Sequence, residues 1–241
     1  GWSKNQLLYA IQDTILNSEP GQTVDPTTQA NVIGNNITLN AKNGGIGIDT
    51  APTTISYDKL SDVDNMKLLA VSKAGDLTWD DKGVTIRRQQ PINLELRNKQ
   101  NGVVTVNGRD NVYIAAIKDS TLNFNKVETT GDIKLMADNG INMIGNDGII
   151  SGRNLIIGAG KGSIGSQGKH IVTKVTGTVD ANAGEDIYLE QKDGVLNLLT
   201  VAAGKDINII ADAGMKMSGE YSDQAGYINS TGGVINLASS N

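Results

Sequence analysis

The chain has 241 residues, a formal net charge of −5, no cysteine, 29 glycines and only 4 prolines. Its only adjacent basic pair is Arg87-Arg88, which excludes a nucleic-acid or anionic-membrane binder, since both need a concentrated basic surface. Lack of cysteine excludes disulfides and thiolate metal sites, and 38% hydrophobic but 4% aromatic residues require an aliphatic core.

The opening reads as a helix. Ser3-Lys4-Asn5-Gln6 has the form of a capping box. Leu7, Leu8, Ile11 and Ile15 then recur at helical spacing on one face. The helix is expected to end near Asn17, before Glu19-Pro20-Gly21, and a polar loop runs on to about Ala30. A short amphipathic helix cannot bury its stripe alone, so residues 1–30 are expected to pack on the chain beyond residue 30. No signal peptide is visible, and no apolar run reaches membrane-spanning length. The abrupt start at Gly1-Trp2 and the end in mid-pattern at Ser240-Asn241 read as an internal piece of a longer exported protein.

From residue 31 to 241 one phrase recurs: a Gly/Asn/Asp turn, an Ile, any residue, a Leu or Ile, and commonly an Ala. The clear copies run from Gly34 to Ala41, Gly131 to Ala137, Gly184 to Leu189 and Gly204 to Ala211. Weaker ones centre on Met66, Ile92, Val112, Leu155 and Val234. The anchors at 92, 112, 133 and 155 are 20, 21 and 22 residues apart, and 187 and 207 are 20 apart. Within each strand alternation puts Ile133 and Leu135 on one face and Lys134 on the other. One turn of chain cannot bury its inward residues, but stacked turns can, so a period near 20 predicts a solenoid. The expected fold is all-β: a right-handed parallel β-helix of about ten coils carrying the short N-terminal helix. The rival is an antiparallel sandwich closed by turns such as Asn139-Gly140 and Asp193-Gly194. A glycine seven residues after each clear anchor (Gly44, Gly140, Gly194, Gly214) ties those turns to the repeat and favours the solenoid. The stretches breaking the period, about 46–62, 78–90, 158–183 and 217–230, read as loop insertions, where recognition is usually placed.

The stretches Gly131 to Met143, Gly184 to Leu198 and Gly204 to Met217 resemble the haemagglutinin repeats of filamentous haemagglutinin-like proteins. Trp2 to Ile15, Gly34 to Ala41 and Leu68 to Trp79 look like parts of the large leukotoxin-type filamentous adhesins. This resemblance implies a two-partner secretion passenger, exported through an outer-membrane barrel transporter and displayed on the bacterial surface. The family's amino-terminal secretion domain carries an Asn-Pro motif, and none of Pro20, Pro26, Pro52 and Pro91 follows an Asn. The segment therefore matches the interior of such a fibre.

Candidate chemistry is sparse. His170 lies in Gln167-Gly168-Lys169-His170 and reads as a solvated turn residue. Gly158 to Ser163 lacks phosphate-loop spacing. Gly145-Asn146-Asp147-Gly148 and Asp138-Asn139-Gly140 do not repeat every nine residues as a calcium roll requires. Solenoid lyases and hydrolases stack carboxylates on adjacent coils beside Arg or Lys. Asp62, Asp64, Asp80 and Asp81 with Arg87 and Arg88 are the nearest match, although Asp80 and Asp81 fit a turn from Trp79 to Gly83. Asp132, Asp186 and Asp206 share one place in the repeat, which suggests a turn role accepting backbone N–H bonds. Asn36, Asn93, Asn111, Asn154 and Asn208 are expected to form ladders between coils. Tyr113 and Tyr188 occupy outward positions and, with Arg87 and Arg88, are the candidate recognition residues. No catalytic residue, cofactor or metal ligand is expected. The expectation is a non-catalytic segment of a secreted adhesin or exotoxin fibre whose partner is a receptor or glycan on host cells or other bacteria, not nucleic acid. The alternatives are a polysaccharide lyase or hydrolase and a purely mechanical stalk.

Overall fold

The computed structural model describes residues 29–49, 51–60, 62, 65, 77–79, 81–86, 89–217 and 227–239. The helix expected over Ser3–Asn17, the weak repeat at Met66, and Arg87 and Arg88 lie outside them. The described chain divides into two compact units. The larger holds the residues up to Gly47 and from Pro91 onward, and the smaller holds those between Ile48 and Gln90.

The larger unit is a parallel β-solenoid of about six turns. Its long sheet stacks β1 (Val32–Gly34), β8 (Ile92–Leu96), β10 (Val112–Ile117), β13 (Ile133–Ala137), β16 (Leu155–Ala159), β18 (Thr178–Ala183) and β20 (Leu196–Ala203) in that order. Beyond them, β22 (Met215–Met217) and β23 (Tyr227–Ser230) both pair with β20. A second sheet stacks β2 (Ile37–Ala41), β9 (Val103–Gly108), β11 (Leu122–Phe124) and β14 (Ile141–Met143). A third stacks β12 (Lys126–Glu128), β15 (Ile149–Gly152), β17 (Ile171–Val175), β19 (Ile187–Gln191), β21 (Ile207–Ala211) and β24 (Ile235–Ser239). Single bridges from Ile141 to Ile164 and from Ile164 to Ile187 carry the line of the second sheet into β19.

Register explains the core. Val112, Ile133, Leu155, Val179 and Leu198 stand in line across five coils. Two residues on, or three in β20 where the register shifts, Ile114, Leu135, Ile157, Ala181 and Val201 form a second line. A third is made only of alanine: Ala116, Ala137, Ala159, Ala183 and Ala203, all fully buried. These alanines precede the corner where the chain leaves the long sheet. A small side chain suits a position just before a sharp turn between two sheets. The Ala that closes the repeated phrase is thus a corner residue.

The structure assigns the repeat's anchors to walls and corrects one expectation about their spacing. The anchors do not share a wall. Ile92, Val112, Ile133 and Leu155 belong to the long sheet, Ile37 to the second, and Ile187 and Ile207 to the third. The 32-residue gap from 155 to 187 is therefore no insertion. It holds β17 and β18, whose Ile171, Thr173, Val175, Val179, Ala181 and Ala183 are buried. β18 was hidden because Thr-Val-Asp-Ala-Asn-Ala lacks the Ile-x-Leu signal, although its alternation is regular.

The described strands of the smaller unit pair antiparallel. β3 (Ile48–Asp49) pairs with β7 (Gln89–Gln90). β4 (Thr53–Ser56), β6 (Gly83–Ile86) and β5 (Leu77–Trp79) form a three-stranded antiparallel sheet with β6 in the middle. A 3-10 turn at Tyr57–Lys59 follows β4. Ile55 faces Val84 across the pair, both are buried, and Thr54 and Thr85 share a hydroxyl hydrogen bond of 2.8 Å. Much of the stretches expected as loops at 46–62 and 78–90 is therefore paired strand, and the described residues form fewer than ten coils. Asp81 and Lys82 lie in the turn between β5 and β6, as their sequence suggests.

Candidate binding groove on the solenoid

Of the four candidate recognition residues, Arg87 and Arg88 lie outside the described residues, and Tyr113 and Tyr188 stand on different sheets. Tyr113 is fully buried, which overturns its expected exposure. Alternation does turn it away from Val112 and Ile114, but the outward positions of β10 and β13 are themselves covered. Ala115, Ile117 and Met136 are buried there against Ala30 and Ile156. A strand buried on both faces reads as a continuous apolar run, and Val-Tyr-Ile-Ala-Ala-Ile is such a run. Tyr188 lies on β19 in a different sheet and is half-buried. Its ring stacks with His170 at 5.7 Å between centroids and 28° between planes. Burial, then the nearby Asp186 and Asp206 carboxylates, push its hydroxyl above the usual tyrosine value. His170 is accordingly packed on a neighbour rather than fully solvated, just after the tight Ser166–Lys169 hairpin.

The aspartates with a shared place in the repeat staple coils together. Asp186 Oδ1 accepts the Asp206 N–H at 3.0 Å, and Asp206 Oδ1 accepts the Val234 N–H at 2.8 Å. The Asp186 N–H donates to Ser163 Oγ at 3.1 Å, extending the series one coil back. Asp132 works differently. Its side chain takes a bidentate pair from Arg153 at 2.7 and 2.8 Å and a third bond from Asn154 Nδ2 at 3.0 Å. The expected Asn ladders run mostly from side chain to the next backbone. Asn111 Oδ1 accepts the Asp132 N–H at 2.8 Å, and Asn154 Oδ1 accepts the Thr178 N–H at 2.9 Å. A direct amide–amide rung joins Asn142 to Asn123 at 3.1 Å.

The Gly158 to Ser163 run ends β16 and turns the corner, where the Lys161 amine pairs with Asp119. Asp138, from the calcium-like stretch, accepts the Asp119 N–H at 3.0 Å.

A shallow groove of about 400 Å³ lies over β2, β9 and β12. It follows from the register of the second sheet. Leu39 and Val106 stand side by side on the inward line, which puts Thr38 with Thr105 and Asn40 with Asn107 on the outward one. Ala41 is paired with Gly108 at the end of those strands, so the floor stays low where side chains are smallest. Asn125, Lys126 and Glu128 supply the next coil's contribution, with Val127 turned into the core. Lys42 and Arg109 complete the rim. Lys126 and Glu128 neutralise each other at 2.8 Å. Lys42 and Arg109, both exposed, have no ion pair among the described residues. The lining thus offers three side-chain amides, a threonine hydroxyl and two uncommitted cations.

Sequence reasoning missed this groove because its parts are far apart in the chain. Ile37 is paired with Val104 across the whole smaller unit. The available signal was the pair of similar outward sets, Thr38 and Asn40 in one strand and Thr105 and Asn107 in the other. Comparison of the chain with protein-family models, curated proteins and solved structures finds no match.

Proposed function

We propose that the chain is a non-catalytic segment of a secreted bacterial surface fibre, an adhesin or exotoxin of the filamentous haemagglutinin type, that mediates or extends attachment to host cells or other bacteria. The observation that carries this reading is the in-register parallel stack of coils in the larger unit. Each coil adds about 4.8 Å of length, so such a body reaches outward while presenting side chains along its flank. The deployment of Asp132, Asp186 and Asp206 also supports it. A solenoid hydrolase needs carboxylates free for proton transfer, and these three staple coils through hydrogen bonds. The partner is a receptor or glycan on the contacted cell, and export through an outer-membrane barrel follows from the repeat resemblance. Antibodies raised against the 241-residue chain should stain intact cells of the producing bacterium and reduce their attachment. Staining only after lysis would overturn the proposal.

A further inference from the structure

We propose that the groove over β2, β9 and β12 binds a carboxylate-bearing oligosaccharide laid across the coils. The inference rests on the reading of the chain as an attachment segment and narrows its partner to an acidic glycan.

The lining selects the ligand class. Among the described residues no aromatic ring lines the groove, so they offer no flat face to cover the C–H surface of a neutral sugar. Affinity must come from hydrogen bonds and charge. Asn40, Asn107 and Asn125 each offer an NH2 donor and a carbonyl acceptor, which suits the mixed hydroxyls of a sugar. Arg109 presents a planar fork that matches a carboxylate in two parallel bonds, and Lys42 adds a point charge. Glu128, held by Lys126, accepts from a hydroxyl without repelling the ligand as a bare carboxylate would. Successive rows lie about 4.8 Å apart, so a polymer crossing the strands meets polar groups at each row.

Charge sets the density of the ligand. The chain carries −5 overall, which opposes a densely charged polyanion approaching from a distance. Two uncommitted cations in a hydroxyl-binding trough fit a sugar chain with sparse carboxylates better than one crowded with sulfates. Nucleic acid fits worse still, because the described lining has neither stacking partners for bases nor a track of cations.

The test is calorimetric titration of the 241-residue protein with three carboxylated probes: oligogalacturonate, hyaluronan fragments and sialyllactose. Methyl-esterified oligogalacturonate and heparin oligosaccharides are the comparisons. At least one carboxylated probe should bind and should exceed heparin of equal length. If it is oligogalacturonate, esterification should weaken it about tenfold, the loss of one charge-assisted bidentate contact. Arg109→Gln should weaken binding about tenfold and Lys42→Gln somewhat less, with unchanged circular dichroism. Lys216→Gln, the same charge change on exposed β22, should leave it unaltered. Failure of all three carboxylated probes, preference for heparin, or an Arg109→Gln protein that binds like the parent would each overturn the assignment. Surface staining of intact cells is independent of these titrations. Loss of glycan binding with staining intact sinks the groove and spares the attachment reading; glycan binding without surface staining sinks the attachment reading.

Discussion

Thr173 Oγ1 donates to Gln191 Oε1 at 2.7 Å, and both side chains are buried between adjacent coils of the third sheet. Gln191 Oε1 also accepts the Val175 N–H at 3.2 Å. Its amide nitrogen donates to the Val175 carbonyl at 2.9 Å and the Asp193 carbonyl at 3.1 Å. A polar side chain in an aliphatic core is tolerated here because its amide uses both ends. Val175 is the last residue of β17, so Gln191 completes the hydrogen bonding where the ladder stops.

Gln191→Leu should therefore destabilise the protein by about 2–3 kcal/mol, because it strands a hydroxyl and backbone groups without water. Adding Thr173→Val should restore part of the loss, since the hydroxyl then needs no partner. Urea unfolding of both variants measures this. A double variant no more stable than Gln191→Leu would contradict it.

The Arg153–Asp132 fork is asymmetric in exposure. The carboxylate side chain is 5% exposed and the guanidinium side chain 53%. Removing Arg153 leaves a charge in a dry place, whereas removing Asp132 leaves a cation that water reaches. Arg153→Ala should cost about 1–3 kcal/mol and more than Asp132→Ala. Equal or reversed losses in thermal melts would show that burial of the carboxylate is not what matters.

Glycine is required at some corners by space alone. A Cβ on Gly184 would lie 2.4 Å from the Gly160 carbonyl oxygen, while one on Gly168 would meet nothing within 4 Å. Gly184→Ala must push two coils apart and should cost about 1–3 kcal/mol. Gly168→Ala should stay within about 0.5 kcal/mol of the parent. Chemical denaturation of the pair separates the two expectations.

Surface ion pairs set the pH range. Hydrogen bonds from Lys118, Lys161 and Lys174 hold the Glu95, Asp119 and Asp193 carboxyls below their ordinary values. Their contribution is complete above the unfolded carboxyl values, about 3.9–4.3, and is lost as pH falls through the lowered ones. Lys161, Lys192 and Lys205 are raised by Asp119, Glu190 and Glu185. Their contribution is complete below the unfolded lysine value, about 10.4, and is lost as pH rises through the raised ones. Melting temperature should be level between these limits and fall outside both, and 0.5 M salt should flatten both flanks because these charges are exposed or half-exposed at the surface. Flanks unmoved by salt would point to buried groups instead.

Coil boundaries can be tested by excision. Removing residues 132–153 takes out one whole coil and sets Leu155 against Val112, the neighbour Ile133 had before. That protein should still unfold in one cooperative transition. Removing 158–183 cuts through β16 and takes away β17 and β18, so it should lose cooperative unfolding. If that stretch were the loop its irregular spacing suggests, the second deletion would be the harmless one.

The amino-acid sequence by itself determined the fold class. Short alternating strands, a period near 20 and glycines tied to that period admit one economical way to bury aliphatic side chains, and Ile133, Leu135, Ile187, Leu189, Ile207 and Ile209 are all in the core as their alternation requires. It also marked Asp186 and Asp206 as turn acceptors. Only the tertiary structure decided which wall each strand joins. Alternation is a property of one strand, so the same phrase serves Ile133 on the long sheet and Ile187 on the third; the wall depends on how much chain each preceding corner consumes. Cover over an outward face is equally non-local, which is why Tyr113 is buried while its strand obeys the expected alternation. The groove belongs to the same class. Asn40 and Asn107 are neighbours although they are far apart in the chain, and no local pattern encodes that pairing.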